Sequence, residues 1–498
     1  MSGVAAPDTG ARCVHDLLAD TARTRPGRPA VRDHEGAWTY AELADQARRA
    51  AAWLDGLGAG HGERLLCALP GGRHFAALLF GALSRGVVVV PVAEDASAYQ
   101  LRHLLDDARP AAVVAAPEMV ARIAPLTDVP VTAPDWAGTP PATDLPEVPP
   151  DHPAMLLYTS GTTARPKGIV CPHRAVVWAA RAIAARVGYG PADIVHCRVP
   201  VSFDYGLYQL FLTVLAGAEV VYPPGRASAR ELVEIRRSGA TVVPVVPTLG
   251  LLLAQLADRD RRPTAVRLLT NTGAALVGPD AARVRAAFPG AALICMYGMS
   301  ECKRITVAEP DEDLTHPGTV GRPLPGTRLF LLGPDGEPVP PGATGEIVVA
   351  GPHVMDGYWG DAAAARQRER FVPAPDGAGR ALRTGDFGRL DAQGRLYFQG
   401  RRDDLFKRRG LRLSCQEVES AALDVPGVAQ AACLPPEPPG ERLTLWITGT
   451  ADPDTVVEGV TARLGPAGRP DRCLTLSRLP LTPNGKIDRA ALQERGGR

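Results

Sequence analysis

The sequence predicts an α/β protein: a large N-terminal domain of two parallel-type α/β subdomains plus a β-rich subdomain, then a small α+β C-terminal domain. Three observations predict it. Helix-like and strand-like segments alternate over residues 13–110 and again from 154 to about 310, as a parallel sheet flanked by helices requires. From 317 to 400 the pattern becomes short strands broken by turn pairs such as Asp335-Gly336 and Gln393-Gly394, which suits antiparallel pairing. The chain has 498 residues, 45% of them hydrophobic, too many for one core, so at least two domains are expected.

The elements follow in order. Residues 38–58 (WTYAELADQARRAAAWLDGLG) carry helical periodicity and end at glycine. RLLCALP (64–70) reads as a strand, FAALLFGALSRG (75–86) as a helix and VVVVPV (87–92) as a buried strand. A stretch rich in Pro, Asp and Thr (134–153) reads as a surface connection. The second alternating region holds AMLLY and GIVC as strands, a helix at 173–188, the strand AEVVYP, a helix near 228–238 and the strand TVVPVVP. RLFLLGPDGEPV, GEIVVAG and GRLYFQG supply the β-rich part, and mixed α/β patterning returns from about 404.

Lys plus Arg total 55 and Asp plus Glu 54, a net charge of +1. That balance gives no electrostatic reason to expect nucleic acid or an anionic membrane as a partner. Nine scattered cysteines without a CxxC pair suggest reduced thiols rather than a disulfide frame or zinc site. No secretory signal is visible at the start, and no apolar run reaches the ~18 residues of a membrane helix; a cytoplasmic location is the expectation.

The chemistry concentrates in a few motifs. Thr159-Ser160-Gly161-Thr162-Thr163-Ala164-Arg165-Pro166-Lys167-Gly168 lies between the strands AMLLY and GIVC. Hydroxyls, backbone N–H groups and one lysine in a glycine-containing loop can close around a polyphosphate. It is not a Walker loop, because Pro166 precedes Lys167; a polar surface loop is the competing reading. Tyr297-Gly298-Met299-Ser300-Glu301 follows the strand ALICM and pairs a hydroxyl with a carboxylate, a set suited to a phosphate oxygen and Mg²⁺. Arg383-Thr384-Gly385-Asp386 reads as a turn whose carboxylate can accept two ribose hydroxyls. Gly400-Arg401-Arg402-Asp403 opens a basic run, and Pro480-Leu481-Thr482-Pro483-Asn484-Gly485-Lys486 presents one lysine on a tight turn. Each alone is also compatible with a hairpin, a salt-bridged loop or a solvated charge run.

Taken in order, these motifs resemble the adenylate-forming superfamily of acyl-CoA synthetases, nonribosomal peptide synthetase adenylation domains and luciferase. The resemblance runs from Val14-His15-Asp16-Leu17-Leu18 to Arg489, and the closing PLTPNGKIDR is most like the peptide-synthetase branch. It implies a large core at 1–402 and a mobile lid at 403–498 that rotates about a hinge at Asp403. It implies ATP and Mg²⁺ as cofactors, with a carboxylic acid converted to its acyl-adenylate. Lys486 would bridge the acid and the α-phosphate. Thr159, Ser160, Gly161, Thr162, Thr163 and Lys167 would hold the β- and γ-phosphates, Ser300 the α-phosphate and Glu301 the metal. Asp386 would take the ribose with Arg401 beside it, and Tyr297 would pack on the adenine or serve as an ordinary core tyrosine. Two positions depart from the family pattern: Ala164 replaces the usual glycine, restricting the loop's backbone, and Ser300 replaces threonine.

Ser202-Phe203-Asp204-Tyr205 aligns with the segment where amino-acid-activating members carry Phe-Asp, whose carboxylate pairs with the substrate ammonium. Asp204 is therefore expected to bind an amino group, with capping of local backbone as the alternative. By the same alignment Tyr205, Tyr208, Thr270, Thr272, Met296, Arg304 and Ile305 would line the acid pocket. Arg304 would meet a second carboxylate or other polar group, or else turn outward to solvent. The expected acceptor is the phosphopantetheine thiol of a separate carrier protein, with coenzyme A second. The competing functions are a CoA ligase for a non-amino acid and a nucleotide-binding protein without turnover.

Overall fold

The alternating segments form two large sheets that exchange strands. The computed structural model describes residues 11–159, 166–276, 278–360, 364–401, 405–408, 411–436, 442–482 and 487–496. A seven-stranded sheet runs in the order Gly357–Tyr358, Lys167–Pro172, Pro153–Thr159, Val88–Pro91, Arg64–Ala68, Ala112–Ala115, Val131–Thr132. Its last five strands are parallel, and the first three pair antiparallel. A nine-stranded sheet is parallel from Ala292–Met299 across to Pro29–Asp33, with antiparallel strands at both edges.

The two alternating regions are thus not two closed subdomains. Pro29–Asp33 from the first region pairs with Glu219–Val221 of the second, while Pro153–Thr159 from the second pairs with Val88–Pro91 of the first. Periodicity reports which segments are strands; it carries no information on which distant strand they join.

Local chemistry explains the elements that frame the site. Thr39 and Glu42 form a capping box that starts the helix Tyr40–Asp55, whose Leu43, Ala47, Ala50, Ala51 and Leu54 are buried on one face. The helix Arg73–Ser84 is buried on every side from Phe75 to Leu83, so it lies between layers rather than on the surface. Gly81 is needed there, because a Cβ would stand 2.4 Å from the carbonyl oxygen of Ala47. The β-rich part is a five-stranded antiparallel sheet built from Arg328–Leu332, Gly345–Ala350, Arg380–Leu390, Phe371–Pro373 and Leu396–Arg401. Beyond it, Val428–Leu434, Thr444–Gly449 and Arg472–Thr475 form a three-stranded sheet with its own core around Val418, Leu445, Ile447 and Val456.

One expected turn is strand, and one motif expected to follow a strand begins inside it. The strand Ala292–Met299 continues through Tyr297 and Met299, so the motif begins inside the sheet. Arg383-Thr384-Gly385-Asp386 lies within the eleven-residue strand Arg380–Leu390. There Gly385 takes φ +72°, a local kink that reads as a turn signal in sequence. No helix among the described residues is long and apolar enough to cross a membrane.

Candidate active site

The phosphate-loop candidate is closed by an antiparallel pair in which Thr159 stands opposite Lys167. Ser160, Gly161, Thr162, Thr163 and Ala164 lie outside the described residues, as do Asp403 and Lys486. The stem of the loop is firmly held. His103 Nε2 lies 2.7 Å from the Pro166 carbonyl oxygen, and Tyr158 Oη donates to Asp107 Oδ2 at 2.5 Å. Lys167, half-buried, begins the returning strand.

Ser300 and Glu301 follow the strand Ala292–Met299 in a turn. Glu301 is 8% exposed, and its Oε1 accepts a hydrogen bond from Tyr358 Oη at 2.8 Å. A carboxylate this sheltered beside a half-buried hydroxyl suits a hard cation that keeps water and phosphate oxygens as its remaining ligands. Asp386 is buried; Tyr297 Oη donates to its Oδ2 at 2.7 Å. Its Oδ1 has no hydrogen-bond partner and only an ion-pair approach of 3.4 Å from Arg401 Nε. Burial raises the Asp386 pKa while Arg401 and the Tyr297 hydrogen bond pull it down. A buried carboxylate oxygen short of a donor is what a sugar hydroxyl would satisfy, so these residues fit ATP. Tyr297 is itself buried, with its ring against Phe398 at 5.3 Å and its hydroxyl committed to Asp386.

The residues expected to line the acid pocket surround a cavity between the helices His173–Val187 and Asp204–Ala216 and the strands Leu268–Asn271, Ala292–Met299 and Lys303–Val307. Tyr205, Tyr208, Thr270, Met296 and Arg304 line a cavity of about 10 Å³, room for roughly one water. Thr272 and Ile305 are buried nearby but do not line it. Tyr189 and Gln209 do line it and were not anticipated. Helical spacing could have found Gln209, which follows Tyr205 by four residues and lies on the same face. Tyr205 Oη is fixed at 2.7 Å from Thr270 Oγ1, and Tyr189 Oη donates to Gln209 Oε1 at 2.8 Å. Tyr208 Oη is buried without a partner. Gly206 is required because a Cβ there would stand 2.3 Å from the carbonyl oxygens of Val199 and Pro200.

Two charges meet beside this pocket: Arg304 lines it, and Asp204, expected to reach the substrate, does not. Arg304 Nη1 lies 3.1 Å from Asp204 Oδ2, with side chains 5% and 4% exposed. The outward orientation considered for Arg304 is therefore wrong: the side chain is buried, and its guanidinium covers the Tyr205 ring at 5.0 Å. Nor does Asp204 cap backbone among the described residues: it is the first residue of its helix, and its carboxylate is hydrogen-bonded to Arg304 Nη1. Lys303 is fully buried at φ +61°, with Nζ 2.8 Å from the Ser300 carbonyl oxygen and 5.8 Å from the Tyr208 ring centre. It adds a second cation that the motif reading overlooked.

Among the described residues, one further group has metal-ligand atoms within 4.8 Å of each other: Cys13, His15 and His173. His173 Nδ1 accepts the Val14 N–H at 3.1 Å, so the neutral ring carries its proton on Nε2. Burial also pushes the Cys13 thiol pKa up to about 11. Neither group is prepared for a cation.

Comparison with known proteins shows the family. Residues 18–359 match the AMP-binding enzyme model, and 417–486 match the AMP-binding enzyme C-terminal domain. The salicyl-AMP ligase / salicyl-S-ArCP synthetase of Mycobacterium tuberculosis (strain ATCC 25618 / H37Rv) is 34% identical, covering 97% of this chain and 90% of its own. The sulfoacetate–CoA ligase of Cupriavidus necator (strain ATCC 17699 / DSM 428 / KCTC 22496 / NCIMB 10442 / H16 / Stanier 337) is 33% identical, covering 96% of each chain. Among solved structures, VinN in complex with L-aspartate is 41% identical with a TM-score of 0.70, covering 78% of this chain and 98% of that one. The chain belongs to the AMP-binding enzymes of the adenylate-forming superfamily and is an AMP-forming acid ligase.

Proposed function

We propose that the enzyme activates an amino dicarboxylic acid of the aspartate type, α- or β-amino, and delivers it to the phosphopantetheine thiol of a separate carrier protein. The observation that carries this reading is the buried Asp204–Arg304 pair at 3.1 Å. Arg304 on the pocket wall and its buried partner Asp204 match a substrate that brings a second carboxylate for one and an ammonium for the other. Lys303 adds to the anion-attracting side. The likeness to a protein solved with L-aspartate supports the same substrate class. The salicyl-S-ArCP synthetase and the peptide-synthetase relatives support a carrier as acceptor.

In the first half-reaction an oxygen of the substrate carboxylate attacks the α-phosphorus. The bond to the bridging oxygen breaks, and pyrophosphate leaves. Lys486 draws the two anions together. Lys167 and the 159–163 hydroxyls hold the β- and γ-phosphates, Ser300 the α-phosphate, and Asp386 with Arg401 the ribose. Mg²⁺, which Glu301 would hold, supplies charge neutralisation at the phosphates when bound. The segment 403–498 then turns about Asp403. The thiol gives its proton to solvent, its sulfur attacks the acyl carbon, and the acyl C–O bond breaks to release AMP.

Substrate-dependent ATP–pyrophosphate exchange tests the reading, with a panel of aspartate, 3-substituted aspartates, β-amino acids, succinate and monocarboxylic amino acids. Exchange confined to acids with both an amine and a second carboxylate is expected. Equal exchange with succinate would overturn it. A second reading, a CoA ligase for an acid bearing another anion, is favoured by the full-length likeness to the sulfoacetate–CoA ligase. Supplying coenzyme A or a phosphopantetheinylated carrier to the preformed adenylate separates the two acceptors.

A further inference from the structure

We infer that Tyr358 is a positioning residue that sets the orientation of the Glu301 carboxylate toward the metal–nucleotide. The inference rests on the proposed role of Glu301 as metal ligand. Its hydroxyl donates to Glu301 Oε1 at 2.8 Å. The segment 355–359 grips the same residue a second time, through the Met355 N–H on the Glu301 carbonyl oxygen at 2.9 Å.

That segment also grips the stem of the phosphate loop. Gly357 and Tyr358 pair antiparallel with Val170 and Ile169. The Asp356 N–H reaches the Val170 carbonyl oxygen at 3.1 Å, and the Trp359 N–H reaches that of Gly168 at 2.7 Å. Trp359 Nε1 donates to the Asp107 carbonyl oxygen at 3.1 Å, on the helix Ala98–Ala108 that also holds Pro166 through His103. Residues 355–359 are therefore a strap tying the carboxylate to the loop stem, and Tyr358 is its side-chain contact with Glu301.

The strap itself is held in place. The Tyr358 N–H donates to Gln367 Oε1 at 2.8 Å, and Gln367 Nε2 donates to the Asp356 carbonyl oxygen at 3.1 Å. Gly357 leaves room for this, since a Cβ at its φ of +123° would overlap the Gln367 amide. The Tyr358 ring packs edge-on against Phe371 at 5.7 Å, which fixes the hydroxyl's direction. A ligand carboxylate held by a neighbouring donor presents one oxygen in a set direction; without the donor it samples several.

Tyr358→Phe keeps the ring and its packing and removes only the hydroxyl. Binding of Mn²⁺·ATP by titration calorimetry is expected to weaken about tenfold, as for loss of a hydrogen bond to a charged group. ATP binding in EDTA should stay unchanged, and the Mg²⁺ concentration for half-maximal exchange should rise. Because Tyr358 acts through Glu301, Tyr358→Phe combined with Glu301→Gln should bind Mn²⁺·ATP no more weakly than Glu301→Gln alone. Wild-type metal binding in Tyr358→Phe, or effects that add in the double variant, would overturn the inference. If Glu301→Gln also leaves metal dependence unchanged, the assignment of Glu301 has failed and the inference with it. If Glu301→Gln shifts it and Tyr358→Phe does not, only the inference fails.

Discussion

The two ends of the site are prepared in opposite ways. At the nucleotide end a buried carboxylate oxygen, Asp386 Oδ1, has no hydrogen-bond donor. At the acid end the buried carboxylate of Asp204 is already matched by Arg304 of the same chain. In the proposed reading the first end is open to ATP, a ligand that is always the same and supplies donors on arrival. The second has offset the cost of its own buried charges, so an incoming acid must replace what it disrupts. An acid with one charge too few leaves Asp204 or Arg304 buried and alone, a state that costs about 3–5 kcal/mol. For the proposed substrate, selectivity at this end would come from what the wrong acid leaves unpaired.

The sharpest way to break this contrast is to remove the charges one at a time and together. Asp204→Asn and Arg304→Met should each lower exchange with the preferred acid by at least ~10³-fold and destabilise the fold by about 3–5 kcal/mol in urea unfolding. The double variant should recover most of that stability, since no buried charge remains, while its activity on the preferred acid stays lost. A double variant as unstable as the sum of the singles would mean the two charges do not compensate each other.

At the nucleotide end the effects should fall on ATP alone. Asp386→Asn is expected to raise the KM for ATP by about 10–100-fold with little change in the KM for the acid. Tyr297→Phe should raise it less, about tenfold, by leaving Asp386 Oδ2 without its donor. Parallel losses for ATP and acid would erase the distinction between the two ends.

The smallest effect concerns a buried group with neither a charge partner nor a ligand. His353 is fully buried beside Trp178, both ring nitrogens lack partners, and burial pushes its pKa down to about 4. Unfolded, it titrates near 6.5. Below that pH the unfolded chain takes up a proton that the folded chain refuses, so stability falls with falling pH, down to about 4. His353→Leu should make the loss of unfolding free energy between pH 6.5 and 4.5 shallower by about 2 kcal/mol. An unchanged slope would show that this imidazole already escapes burial.

Much of this was legible because it is local. Periodicity located the helix Tyr40–Asp55, the buried strand Val88–Pro91 and the helix His173–Val187 to within a few residues. Motif order pointed to Glu301 and Asp386, and the Phe-Asp alignment to Asp204 and Arg304, as candidates. What sequence could not supply were relations across distance. Tyr358 and Glu301 are 57 residues apart, and Arg304 and Asp204 are 100 apart. Their meeting depends on strand register, which the residues at either end do not encode alone. Arg304 shows the cost: read singly, a surface orientation satisfies an arginine, and only the packed pocket reveals the partner that lets it be buried.

The exchange of strands between the two large sheets has a consequence for how the chain reaches this state during synthesis. Pro29–Asp33 finds its parallel neighbour only when residues 219–221 have been made, and Lys167–Pro172 gains its outer neighbour only with Gly357–Tyr358. Pairings over such sequence separations form late, because the intervening loop must be closed first. A nascent chain released before about residue 360 would carry unpaired strand edges, exposed to association with other chains. The same late pairing that completes the sheet brings Tyr358 to Glu301, so that contact and the closing of the fold are one event in the life of the chain.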